Sequence, residues 1–126
     1  ALRRAAGPGP VLVTHDYTPW TYTHPVDGAP ITFDAALAGP APRRDFGAAG
    51  VLEFGAPRRA PDQEAYLHHR IAAYEAAGLN WTVYRWSSGW AAYEQQEGRR
   101  ALDAEPRIHA LLRRAFAANS VRPPQA

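Results

Sequence analysis

Three short apolar runs each end in ionisable or aromatic side chains, and this repetition constrains the fold more than any other feature of the chain. Val11-Leu12-Val13-Thr14-His15-Asp16-Tyr17 is the first, Gly50-Val51-Leu52-Glu53-Phe54 the second and Asn80-Trp81-Thr82-Val83-Tyr84-Arg85-Trp86 the third. Runs of this length, rich in Val, Leu, Thr and aromatics and bounded by Gly or Pro, read as strands. Gly55 and Pro57 break the second run into a polar loop immediately after its carboxylate. Glu53 is thereby expected at the mouth of a sheet, where enzymes built on parallel strands keep their chemistry.

The segments between the runs decide how the strands pair. Pro61, the acids Asp62 and Glu64 and the later Gly78 punctuate a helix over about residues 61–77. Leu67, Ile71 and Tyr74, with Ala72, fall on its inner face, and Gln63, Glu64, Arg70 and Glu75 on the outer one. A second helix over about 105–119 gathers Ile108, Leu111, Leu112, Ala115 and Phe116 into one stripe. Between the first two strands the chain is rich in Pro, Gly, Ala and Thr, with a brief helical turn expected around residues 34–38. Residues 94–100 read as a charged stretch and the Pro-rich tail from Val121 as frayed. Strands alternating with helices imply parallel pairing with right-handed crossovers. The fold class is therefore α/β, and three strands loaded at their C-terminal ends fit a partial TIM (β/α)8 barrel. A complete barrel takes about 250 residues, so 126 supply about half of one.

Composition narrows the function classes. The chain is 46% apolar and 11% aromatic, as a globular domain with its own core is. All fourteen Lys-plus-Arg positions are Arg, but their doublets are scattered and the net charge is only +2, which argues against a nucleic-acid footprint. The absence of Cys excludes disulfides and thiolate metal sites and leaves secreted and cytoplasmic locations both open. No apolar stretch approaches the roughly eighteen residues of a membrane span. Ala1-Leu2-Arg3-Arg4 opens without Met and without the apolar core of a signal peptide, which reads as the interior of a longer open reading frame.

His15-Asp16-Tyr17, then Pro19 and Tyr22-Thr23-His24-Pro25, resembles the sixth-strand segment of glycoside hydrolase family 5, the cellulase-like (β/α)8 barrels. Glu53-Phe54-Gly55-Ala56, with Arg58-Arg59-Ala60-Pro61 behind it, resembles the family's seventh-strand Gly-Glu-Phe-Gly motif, with Leu52 in place of its first Gly. Trp81 to Glu94, with Ser88-Gly89-Trp90 and Tyr93, resembles the eighth strand and the loop that closes the cleft. The three motifs stand in the family's order and cover roughly Val11 to Phe116, so the whole chain reads as the C-terminal part of one catalytic domain.

The resemblance implies a retaining endo-β-1,4-glucanase-like hydrolase of a β-linked polysaccharide, secreted or periplasmic, needing no metal or other cofactor. Glu53 matches the nucleophile. His15 and Tyr17 match its orienting donors, and as positions i and i+2 of a strand they point together. Tyr84, Trp86, Trp90 and Trp20 are candidate sugar platforms, with His24 bordering the cleft. Retaining glycosidases need a second carboxyl group, and the family's Asn-Glu pair is absent here. The fragment alone is therefore expected to be inactive, with the missing N-terminal half of the barrel as its implied partner.

Blander readings stand beside these. Glu53 could be a solvated strand-end acid and His15 a satisfied core histidine. Asp16 reads as an acid behind the site or an exposed one, His68 and His69 as surface or helix-packing residues, and Trp81 as core. Tyr84 and Trp86 divide between core and sugar contact. At the level of the whole chain, the alternatives are a non-catalytic carbohydrate-binding or partner-binding remnant of such a barrel, and a small α/β interaction domain.

Overall fold

Strand-forming residues at both ends of the long Pro- and Gly-rich segment meet in one sheet. The computed structural model describes residues 12–24, 32–42, 48–58, 60–84, 94–96, 99–101 and 106–118. Within it β1 (Leu12–His15), β2 (Ala48–Phe54) and β3 (Asn80–Val83) form a parallel sheet in the order β1-β2-β3. His15 is in register with Glu53, and Val51 with Trp81. Both pairings carry register shifts, and beyond them Asp16 N donates to Glu53 O and Tyr84 N to Phe54 O, each at 2.8 Å. The C-terminal ends of all three strands thus lie at one edge. A parallel ladder requires a crossover that returns the chain to the starting edge, so this alignment follows from the α/β order itself.

α1 (Trp20–Thr23) is a single turn that the sequence pattern did not announce, and a 3-10 turn at Ala35–Leu37 occupies the place expected for one. Among the described residues these are the helical pieces between β1 and β2. Rings from this connection and from the following helix pack together. Tyr22, Phe33 and Tyr66 meet with centroids 5.1 to 5.4 Å apart, and Tyr22 Oη donates to Pro61 O at 2.6 Å.

α2 (Gln63–Ala76) lies on the sheet and ends as its sequence predicts, with Gly78 at φ 66°. The Gly78 N–H reaches Glu75 O at 3.0 Å and Leu79 N–H reaches Tyr74 O at 2.9 Å, the paired closure that a left-handed residue after the last turn permits. α3 (Pro106–Ala118) packs beside it and buries Ile108, Leu111 and Leu112. Phe116 of the same stripe is half exposed and stacks on Trp81, centroids 5.2 Å apart. β4 (Glu94–Gln96) and β5 (Arg99–Ala101), in the stretch read from sequence only as charged, pair antiparallel.

The inner face of α2 departs from the sequence reading in one respect that matters. Leu67, Ile71 and Tyr74 are buried as expected, but so are Tyr66, Gln63 and Arg70, whereas Ala72 is exposed. Gln63 and Arg70 were assigned outward because they are polar. Each is held inside by a specific acceptor: Gln63 Nε2 donates to Ala56 O at 3.1 Å, and Arg70 Nη2 pairs with Asp16 Oδ2. Asp16 is correspondingly buried, not an exposed acid. Its Oδ2 also accepts from Tyr74 Oη at 2.9 Å and its Oδ1 from Thr18 N at 3.1 Å and from the Thr18 hydroxyl. Arg70 Nε lies 3.2 Å from Tyr74 Oη, and Nη1 donates to the Ala38 and Gly39 carbonyls at 2.9 and 3.1 Å.

Burial works against the Arg70 charge, and Tyr74 and Asp16 outweigh it, so the guanidinium stays above its usual pKa. Burial, then Asp16, pushes the Tyr74 phenol up as well, which keeps it a neutral donor.

Gly50 fixes how closely β2 and β3 approach. A Cβ at this position would stand 2.8 Å from Asn80 O, and that oxygen belongs to the neighbouring strand's backbone. Gly50→Ala is expected to cost about 1–3 kcal/mol as an overpacked contact, measured as a lower urea midpoint with unchanged slope.

Candidate active site

The two-residue period of a strand end brings His15 and Tyr17 to one acid. Tyr17 Oη donates to Glu53 Oε2 at 2.9 Å, and His15 Nδ1 lies 3.3 Å from the same oxygen, within ion-pair distance. The acid and the imidazole are in register on neighbouring strands, so backbone pairing sets their approach before any side chain is placed. The His15 and Glu53 side chains are 52% and 31% exposed, which puts the group at the surface of the strand ends with access for a ligand.

Partial burial, then the hydrogen bond to Glu53, pushes the Tyr17 phenol well above its ordinary pKa. Tyr17 is therefore protonated throughout the neutral range and donates to the carboxylate. The stability this contact contributes is present below the usual phenol pKa of about 10 and is lost as pH rises through the higher folded value.

A second ring group adjoins the first. His24 meets Tyr17 edge-on at 5.3 Å, and Trp20 lies flat on His24 with centroids 3.6 Å apart and planes 8° from parallel. Tyr84 approaches Tyr17 edge-on from the end of β3 at 6.4 Å. Trp20 is 61% exposed, so its outer ring face is open to solvent while the other is backed by imidazole. Thr23 Oγ1 sits 3.0 Å from His24 Nδ1 and also reaches the Tyr17 carbonyl at 2.7 Å, a link between the two groups that no sequence pattern indicated.

Six of the eight residues proposed from sequence, His15, Tyr17, Glu53, Trp20, His24 and Tyr84, thus lie in one connected cluster. Trp86 and Trp90 lie outside the described residues. Trp81 is buried, its Nε1 donating to Glu75 Oε1 at 2.6 Å. His68 is exposed on α2, and His69 faces Phe33 at 5.7 Å.

Chemically the cluster offers one carboxylate, with a phenol donor and a nearby imidazole nitrogen on one of its oxygens, joined through Tyr17 and His24 to a flat aromatic surface. Asp16 cannot serve as its second acid, since both of its oxygens are taken by Arg70, Tyr74 and Thr18. Among the described residues no three His, Asp or Glu side chains gather as metal ligands, and no helix is long and apolar enough to cross a membrane. A cleft of ≈ 580 Å³ along α2 and α3, bordered by His68, Arg107 and Arg114, shares no residue with the cluster.

No family model matches the chain, and neither a curated protein nor a solved structure matches it.

Two measurements check this geometry. A double-mutant cycle between Tyr17→Phe and Glu53→Gln should return a coupling of about 1 kcal/mol, reduced from that of a fully buried charged hydrogen bond because both groups are partly solvated. Burial holds the His24 imidazole below its ordinary pKa. Its ring-proton titration by NMR should accordingly have a midpoint below about 6.5. Because the folded value is the lower one, the associated stability is present above about 6.5 and declines as pH falls through the folded midpoint.

Proposed function

We propose that this chain is the C-terminal part of a retaining glycoside hydrolase of the family-5 type, a (β/α)8 barrel acting on a β-linked polysaccharide, with cellulose-type glucan ahead of mannan. The observation that carries the reading is the convergence of the Tyr17 phenol and the His15 imidazole on Glu53 Oε2 at the C-terminal end of a parallel sheet. Catalysis in such barrels is performed at that end of the strands. Val13 on β1 and Leu52 on β2, each 48% exposed, support it further, because parallel sheets are ordinarily covered on both faces and the inner face of a barrel is closed by its remaining strands.

In this reading Glu53 is the nucleophile. Tyr17 and His15 hold Oε2, and Oε1 attacks the anomeric carbon. A bond forms between that carbon and the carboxylate as the glycosidic C–O bond breaks, and a second carboxylic acid gives its proton to the departing oxygen. The same second group then takes a proton from water as the water displaces Glu53, so the acid and the nucleophile both return to their starting states. That second group comes from the missing N-terminal half of the barrel. Trp20, backed by His24, presents its open face to a pyranose ring, and Tyr84 stands against Tyr17 at the same strand ends. The tyrosine's raised pKa suits its part, since a neutral phenol donates to a carboxylate and a phenolate would repel it.

The open Trp20 face beside a single carboxylate favours one other reading, a carbohydrate-binding remnant that holds sugar without cleaving it. One experiment separates the two. An activated 2-deoxy-2-fluoro-cellobioside is presented to the chain joined to the N-terminal half of a family-5 barrel, and the adduct is mapped by peptide mass. Label on Glu53, abolished by Glu53→Gln, is the expected result. Label on another carboxylate removes the nucleophile assignment. Oligosaccharide binding by calorimetry with neither label nor turnover favours the binding remnant.

A further inference from the structure

Three consecutive residues at the end of β1 have alternating destinations. His15 and Tyr17 go to Glu53 Oε2, while Asp16 between them turns toward α2. Neighbours in an extended segment point to opposite sides, so the direction of the middle residue fixes that of the two beside it. His15, the more exposed of the outer pair, cannot set its own geometry. The His15 side chain is 52% exposed, and contacts between solvated groups contribute little and hold long side chains loosely. Asp16 is of the opposite kind, with a side chain 5% exposed against an Arg70 side chain that is wholly buried.

Asp16 also touches the acid's own peptide, its N–H donating to Glu53 O at 2.8 Å. Its Oδ2 accepts from Arg70 Nη2 and Tyr74 Oη, and its Oδ1 from the Thr18 backbone and hydroxyl. Arg70 is in turn pinned through Nη1 to the carbonyls of Ala38 and Gly39. A planar guanidinium bound along several of its N–H directions has one orientation, and it passes that orientation to its carboxylate partner.

We propose that Asp16, clamped by Arg70 and Tyr74, is the positioning residue of the Glu53 site, setting the rotation of the β1 end so that His15 and Tyr17 converge on one carboxylate oxygen. The consequence for catalysis rests on the glycosidase reading, but the positioning itself does not. The clamp supplies the supporting shell that solvent-exposed catalytic groups require if they are to be held ready before substrate arrives.

The test reads the coupling of the two rings to Glu53 in this chain, without substrate. NMR signals of the His15 ring nitrogens and the Tyr17 ring carbon bearing the hydroxyl are recorded with and without Glu53→Gln. The pair of spectra is then repeated in Asp16→Leu/Arg70→Met, where an apolar pair replaces the ion pair, and in Tyr74→Phe, where Asp16 loses one donor. In the wild-type background Glu53→Gln shifts both signals. In the cooperatively melting double variant the response of both rings is expected to fall by roughly threefold or more, with an intermediate fall in Tyr74→Phe.

A response of wild-type size in the folded double variant overturns the proposal. If the double variant does not melt cooperatively, Tyr74→Phe decides, and an undiminished response there overturns it equally. The fluoro-glycoside experiment judges the glycosidase reading separately, so its failure leaves the ring-coupling result standing.

Discussion

The Asp16–Arg70 pair is the interaction on which the described part of the molecule turns. It joins the end of β1 to the middle of α2, and through Arg70 Nη1 it also holds the segment at Ala38 and Gly39. A buried ion pair is weak evidence for stability, because removing two charges from water costs several kcal/mol per ion, about as much as their attraction returns. Its value here is directional. A hydrophobic contact between β1 and α2 would tolerate small rotations of the strand end, whereas a carboxylate receiving four donors does not. Tyr74 serves both partners, lying 3.2 Å from Arg70 Nε and donating to Asp16 Oδ2, so the helix face at positions i and i+4 acts as one unit.

Around that pair much of the core is aromatic. Phe54 contacts Tyr74 and Trp81 edge-on, and Tyr22, Phe33 and Tyr66 close the other end. Large rings let few residues fill a wide space, and edge-to-face contacts add to the area they bury. Between β1 and β2 these rings supply much of the described packing. It also places α1, since Tyr22 is buried by the cluster while Trp20, two residues earlier on a single helical turn, is left exposed. The open indole beside the carboxylate follows from how the core is filled.

What the sequence revealed and what it hid divide along one physical line. Strand ends were legible because a two-residue period places His15 and Tyr17 together without knowledge of anything else, and the parallel order put Glu53 beside them. The helix punctuation at Gly78 was legible because it is local. Arg70 was not: apolar periodicity assigns a charged residue outward, and its partner Asp16 lies 54 positions away. The i, i+4 spacing of Arg70 and Tyr74 was the available signal, and it has meaning only once an acid is known to sit opposite. α1 escaped notice because four residues are barely one helical turn, and the β4–β5 pair because Glu94-Gln95-Gln96 and Arg99-Arg100-Ala101 carry no apolar alternation.

The alternation at His15-Asp16-Tyr17 separates the buried contacts of this strand end from its accessible ones. With the phenol donating to Oε2 and the imidazole nitrogen 3.3 Å from the same atom, the described contacts make the two oxygens unequal. That inequality needs the phenol and the imidazole to arrive from the same side, a condition on the backbone rather than on either ring. The backbone meets it because the residue between them is anchored in the opposite direction, where water is excluded and its hydrogen bonds are strongest. A buried acid thereby governs which groups reach an accessible one.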